Sequence, residues 1–203
     1  MSSELPALVV FDMAGTTLSD TGGIVNQALR EALHDDGVTV TPDEVNEVMG
    51  LPKPVAIGAL LGISESDTRT LKIHADFLER MRQFYAEDPS VVEVLGTSDT
   101  LLALREAGIK VALDTGFSRD LVDIIVERLG WQELLDDSIA SDEVERGRPH
   151  PDMIEALCAR QGITDLKTVA KIGDTPSDLQ EGTAAGCGWV IGVTRGSHTE
   201  ELL

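Results

Sequence analysis

The chain is short of cysteine, of positive charge and of long apolar runs. Its 203 residues include two cysteines, Cys158 and Cys187. That excludes a disulfide framework and makes a reducing cytoplasm the simpler setting. Lys and Arg number 16 against 36 Asp and Glu, a formal charge of −20. Such a surface repels nucleic acid and anionic membrane, so neither is an expected partner. No segment approaches a membrane span, and the N-terminus lacks the basic flank and long apolar core of a signal peptide. Internal repeats and low-complexity stretches are absent too. The expectation is a soluble cytoplasmic protein with room for one well-buried core and a small second domain. An anionic substrate would have to be drawn in by a local positive site or a metal.

What is present begins with Leu8-Val9-Val10, an apolar run that reads as a buried strand. It delivers Asp12 of Phe11-Asp12-Met13-Ala14-Gly15-Thr16-Thr17 to its carboxyl end. Gly15 then allows a tight turn with exposed N–H groups. Ligands of parallel α/β sheets bind just outside such strand ends. A carboxylate there can attack phosphorus while neighbouring N–H groups hold the phosphate oxygens.

From about Leu95 onward, strands and helices alternate. Helices are predicted over Thr97–Gly108, Arg119–Leu129, Asp152–Arg160 and Pro176–Ala185. Strands are predicted over Ile109–Leu113, Ile139–Ala140, Val169–Ile172 and Trp189–Val193. This alternation implies a parallel sheet with helices on both faces. Residues 19 to about 91 show no convincing strand. Val25, Ala28, Leu29 and Ala32 recur at helical spacing, Pro54 starts a short apolar helix ending near Gly62, and Ile73, Phe77, Met81 and Phe84 form a further stripe. The fold class is therefore α/β: a Rossmann-like parallel core, residues 1–18 and 92–203, with a small helical cap domain, residues 19–91, inserted after the first strand. Such an insertion would sit over the strand ends, where a lid belongs.

Three further stretches share the chemistry of Asp12. Asp114-Thr115-Gly116 follows a strand and offers a hydroxyl and a glycine N–H to a phosphate oxygen, although taken alone a mere turn is the favoured reading. In Arg146-Gly147-Arg148-Pro149-His150-Pro151 two prolines hold the backbone, so Arg148 is placed to grip a phosphate oxygen and to screen the nucleophile. Gly173-Asp174-Thr175-Pro176-Ser177-Asp178 brings two carboxylates to a helix start, which suits a hard divalent cation. Helix capping is the alternative for Asp174 and Asp178, but capping does not explain why such sites recur at successive strand ends. His34, His74, His150 and His198 show no metal-ligand spacing, and the two cysteines read as packed thiols.

Together these stretches resemble the haloacid dehalogenase superfamily over essentially the whole chain. The resemblance implies an aspartyl-phosphate mechanism with Asp12 as nucleophile, Thr115 as phosphate-oxygen donor and Arg148 in the place usually held by Lys. It implies Mg²⁺ held by Asp12, the backbone carbonyl of Ala14 and Asp174, with Asp178 binding through water or orienting the site. Gly15, Thr16, Gly50 and Gly116 would contact the substrate or its phosphate. Typical phosphatases of the superfamily carry a second Asp where this chain has Ala14, and losing such a general acid costs ~10²–10⁴-fold. Asp-x-Ala-Gly-Thr-Thr is instead similar to the phosphonatase branch, which cleaves a carbon–phosphorus bond. There a cap lysine forms a Schiff base with the substrate aldehyde, and Lys53 in Met49-Gly50-Leu51-Pro52-Lys53 stands in the matching position. Such a lysine needs its pKa lowered from ~10.4 to near ~7–8, and apolar neighbours between Pro52 and Pro54 make that plausible. Two departures count against it: Ala56 replaces a His and Phe117 replaces a Tyr of that branch.

The resulting expectation is a Mg-dependent hydrolase of a small phosphorylated or phosphonate metabolite, phosphonatase-like. The alternatives are a phosphate monoester phosphatase with Lys53 as specificity residue, and a non-catalytic phosphate-binding protein. A dehalogenase would need neither Asp174 nor a metal. The cap's apolar stripes leave a homodimer through the cap open. Relatives usually continue for one more strand, so a truncated chain is also an expectation.

Overall fold

The computed structural model describes residues 5–20, 22–196 and 198–203. The expected start of the core at residue 1 lies outside them. Five strands form one wholly parallel sheet: β1 (Leu8–Phe11), β2 (Lys110–Thr115), β3 (Asp137–Ala140), β4 (Val169–Gly173) and β5 (Trp189–Gly192). Their order is β3-β2-β1-β4-β5. Leu8 stands opposite both Lys110 and Val169, so β1 is the central strand. All four of its residues are buried, which is why it reads as an unbroken apolar run. The chain winds outward from β1 in one direction through β2 and β3, and in the other through β4 and β5. The order therefore reverses beside β1, where sheets of this kind bind their ligands.

Alternate residues of β1 enter opposite cores. Val9 and Phe11 join a large apolar cluster with Val111, Leu113, Leu121 and Trp131. Leu8 and Val10 join a smaller one with Ile139, Met153, Leu157 and Val169. This is the two-residue period of a strand covered on both faces.

The inserted segment after β1 holds α1 (Ile24–Asp35), α2 (Pro42–Asn46), α3 (Lys53–Leu61) and α4 (Thr68–Glu87). The buried stripe of α4 is Thr70, Ile73, Phe77, Met81 and Tyr85. The sequence reading placed Phe84 at its end. The structure seats Tyr85 there instead, with the Phe84 ring packed edge-on against it at 5.3 Å. A stripe advancing by four residues reaches position 85, and Tyr85 then meets Phe117 edge-on at 5.7 Å. The side chains of α1 and α4 belong to the same apolar cluster as Val9 and Phe11, so the inserted helices share their core with one face of the sheet.

After α5 (Thr97–Glu106), the remaining helices are α6 (Arg119–Leu129), α7 (Asp152–Gln161) and α8 (Pro176–Ala185). Helix α4 packs on α1 and α6. Helix α8 shows how locally such an element is specified. Thr175 and Asp178 exchange the bonds of a capping box, Pro176 occupies the first turn, and Gly186 at φ 78° closes the end. Short helix α2 was not foreseen, yet Thr41 and Glu44 form a capping box around Pro42. Among the described residues no helix is long and apolar enough to cross a membrane. Cys158 and Cys187 are buried free thiols.

Candidate active site

Asp12 follows β1, is buried, and donates its N–H to the carbonyl of Ile172 on β4 at 2.8 Å. The chain then turns through Gly15 at φ 91°. Only glycine fits there, because a Cβ would lie 2.6 Å from Asp174 Oδ2. The N–H of Gly15 donates to the Leu18 carbonyl at 2.8 Å, and that of Thr16 to the Met13 carbonyl at 3.1 Å. These donors, expected to face a phosphate, are thus spent within the loop. Among the described residues, the N–H groups of Met13 and Ala14 have no backbone acceptor. The Thr16 hydroxyl reaches Asp174 Oδ1 at 3.4 Å.

A cavity of about 30 Å³ opens at this point, with Asp12, Ala14, Gly50, Lys53, Thr115, Gly116, Phe117, Arg148 and Asp174 in its walls. The structure brings together residues from five separate stretches of chain. Thr115 ends β2, and its Oγ1 accepts the Phe117 N–H at 3.2 Å, which leaves its own hydrogen to donate. Arg148 is buried and reaches four carboxylates. Nη1 donates to Asp12 Oδ1 at 2.7 Å and lies 2.8 Å from Asp178 Oδ1. Nη2 bonds the Asp114 carboxylate and its carbonyl, and Nε donates to Glu181 Oε2 at 3.1 Å. The guanidinium is largely occupied by the protein itself, so it screens and orients Asp12 more than it offers a free grip on phosphate.

Lys171, in the middle of β4, completes a network that the sequence reading did not anticipate. Its buried ammonium contacts Asp114, Asp178 Oδ1 at 3.0 Å and Glu181 Oε2 at 3.3 Å. Burial and Arg148 oppose its charge, but the three acidic partners outweigh them and hold its pKa above the ordinary lysine value. Burial raises Asp178, yet Arg148 and Lys171 outweigh that and leave it below the usual carboxylate range. Glu181 is pushed far up by burial and then by Asp114. A lysine flanked by Ala170 and Ile172 in a doubly covered strand was the available clue, since such a charge persists only when paired.

Asp174 is buried beside Ala14, and Gly196 lies so close that a Cβ there would overlap its carboxylate. Asp178 occupies its Oδ2 in the α8 capping box, taking the Thr175 N–H at 3.1 Å and the Thr175 hydroxyl at 2.5 Å. Asp12 and Asp174 line the cavity. Carboxylate oxygens of Asp12, Asp114 and Asp178 all lie within 4.8 Å of one another. Asp114 is already matched by Arg148 and Lys171. Burial, then Asp178, push Asp12 up to about 8, with Arg148 only partly offsetting them and Asp174 adding to the rise. A site of hard oxygen donors whose carboxylates Arg148 only partly offsets at the nucleophile fits a divalent cation.

Lys53 opens α3 and is buried, its Nζ 3.5 Å from the Leu51 carbonyl and 5.6 Å from the Phe117 ring centre. Burial lowers its pKa to about 8 against the attraction of Asp12, with Arg148 lowering it further. The loop that carries it fits into glycine-lined notches. A Cβ on Gly50 would lie 2.4 Å from Thr175 Oγ1, one on Gly116 2.8 Å from the Leu51 carbonyl, and one on Gly147 2.5 Å from Pro52. Of the other residues set aside in the sequence, Ala56 is buried, while His34 and His150 are exposed.

The chain matches the family of haloacid dehalogenase-like hydrolases over residues 9–192. It is 32% identical over 201 residues to the phosphonoacetaldehyde hydrolase of Bacillus cereus, covering 93% of this chain and 76% of that protein. Among solved structures it is similar to a hydrolase from Pseudomonas syringae, with a TM-score of 0.86, 18% identity and coverage of 97% of this chain and 89% of that one. A phosphonoacetaldehyde hydrolase-like protein from Oleispira antarctica superposes with a TM-score of 0.82 at 22% identity, over 99% and 80% of the two chains. At these identities the structural likeness speaks for the fold.

Proposed function

The chain belongs to the haloacid dehalogenase-like hydrolases, and we propose that within them it is a phosphonatase-like enzyme acting on a small carbonyl-bearing phosphorus compound. The observation that carries this reading is Lys53: a buried amine with a pKa of about 8 in the same small cavity as Asp12 and Ala14. An amine in that range is neutral often enough to attack a carbonyl.

In this reading the Lys53 nitrogen adds to the substrate carbonyl, water leaves, and the resulting iminium carries positive charge beside the scissile bond. Asp12 Oδ attacks phosphorus, and the electron pair of the carbon–phosphorus bond moves into the iminium to give an enamine. No general acid is needed for that departure, which suits the methyl group of Ala14. Water then hydrolyses the aspartyl phosphate, the enamine carbon takes a proton, and hydrolysis of the imine returns Lys53. Met13 and Ala14 N–H groups and the Thr115 hydroxyl hold phosphoryl oxygens, while Arg148 holds Asp12 in line. Magnesium held by Asp12, the Ala14 carbonyl and Asp174 would supply the positive charge that lets a dianion approach a carboxylate. Residues 19–91 serve as the cap that carries Lys53 to the core formed by residues 1–18 and 92–203.

One observation favours a second reading. The Phe117 face beside Nζ stabilises the charged amine, and Phe117 and Ala56 stand where the phosphonatase branch carries a Tyr and a His. A phosphate monoester phosphatase using Lys53 to bind an anionic substrate would have this wall. Borohydride reduction during turnover of phosphonoacetaldehyde with Mg²⁺ decides between them. Covalent capture of the substrate carbon skeleton on Lys53, together with loss of phosphate release in Lys53→Arg, is expected. Near-normal release by Lys53→Arg, from an ester alone, would establish the second reading.

A further inference from the structure

Positive charge is scarce in this chain, and where it goes unpaired is informative. Among the described residues every arginine except Arg30, Arg128 and Arg195 sits in an ion pair. Arg128 is used structurally, bonding the carbonyls of Ala86 and Asp88 at the end of α4. Arg30 makes a single 3.3 Å bond from Nε to the Val40 carbonyl. The two remaining guanidinium groups, on α1 and on the loop after β5, line the same cleft of about 620 Å³.

That cleft adjoins the catalytic cavity, because Asp20 and Met49 line both. Asp20 is its one acidic wall residue among those described, and its Oδ1 already accepts the Val25 N–H at 3.3 Å. In a protein of net charge −20, a cleft of ligand-sized volume with two unmatched arginines and one committed carboxylate is a local reversal of sign. The catalytic cavity itself has room for little more than water. The adjoining cleft is the ligand-sized space beside it, past Asp20 and Met49, for whatever the substrate carries beyond its reacting end.

We propose that this cleft is a subsite for a second anionic group, a carboxylate or a phosphate, at the far end of the substrate whose phosphorus meets Asp12. The proposal rests on the phosphoryl-transfer reading above and narrows it. The substrate is charged at both ends and is longer than phosphonoacetaldehyde. Arg30 belongs to the inserted helix α1 and Arg195 to the loop after β5, so the two lining arginines come from separate parts of the chain.

The test uses alkylphosphonates of graded methylene length that end in carboxylate, phosphate or methyl. Their binding to the full chain is measured by calorimetry and by inhibition of phosphate release. At the best length, an anionic end should improve affinity about tenfold over the methyl-ended compound, the scale of one charge-assisted bond. The better of the two anions identifies the chemistry of the natural terminus. Arg30→Gln and Arg195→Gln should each abolish that advantage while leaving affinity for inorganic phosphate unchanged. No advantage at any length, or one that survives both substitutions, overturns the subsite while leaving the phosphoryl site standing. Failure of inorganic phosphate and of every alkylphosphonate to bind would overturn the phosphoryl-transfer reading, and the subsite with it.

Discussion

Replacing Lys53 by Met should make the protein more stable at neutral pH. The native side chain is held at about 8 rather than 10.5, chiefly by burial. That difference is worth about 3 kcal/mol against the charged form. The Phe117 ring beside Nζ acts on the charged form and is already contained in that difference, so the whole of it is the expected gain. The sign follows from proton binding. Between about 8 and 10.5 the unfolded chain binds more protons at this position than the folded one, so wild-type stability rises relative to the variant across that window. The gap should be full below 8 and close by 10.5. Urea unfolding of both proteins over a pH series measures it. A variant less stable than wild type at neutral pH, or a gap flat with pH, would refute the view that Lys53 is held against its own charge.

Lys171→Met should destabilise by about 3–5 kcal/mol, since removing one member of a buried network leaves uncompensated carboxylates; thermal unfolding checks it, and a loss under 1 kcal/mol would show that Asp114 and Glu181 do not depend on that ammonium. Gly116→Ala should displace the loop at Leu51, whose carbonyl would meet the new Cβ at 2.8 Å, raising KM and exposing Lys53 to amine reagents; unchanged labelling would sink that account. Phe77→Ala should cost about 3–5 kcal/mol in urea unfolding through the cavity left in the α4 stripe, and a loss near zero would mean that the stripe is not part of the shared core.

Legibility followed how local each signal is. Helix α6 and helix α8 fall on the sequence-based limits because Gly130 and Gly186 stop them. Strand β1 was readable because a strand covered on both faces needs no alternation. Asp12, Thr115, Arg148 and Asp174 meet in one cavity because each follows a strand of the sheet or lies in a loop beside one. The fate of the Gly15 and Thr16 N–H groups was not readable, since a Gly-Thr turn can point its donors outward or close on Met13 and Leu18. Asp114, Lys171 and Glu181 come from three different elements, and only the sheet order places them against Arg148. Gly147 meets Pro52 across a sequence distance that no spacing rule spans.

The loop from Met49 to Lys53 links two properties that sequence treats separately. Gly50 fits against the Thr175 side chain, Gly116 against the loop's own backbone at Leu51 and Gly147 against the Pro52 ring, and the cavity beneath is about 30 Å³. Any substrate larger than a water or two must lift this loop to enter. The same loop delivers Lys53, and burial is the first cause of its low pKa. With the loop lifted, the amine returns to water and regains its proton; with the loop seated, water leaves and the neutral form becomes accessible. On the proposed reading, Lys53 would become nucleophilic only once the loop is seated over a substrate. A substitution that props the loop open should then weaken carbonyl capture even with Lys53 and Asp12 intact, and raising the pH should partly restore it.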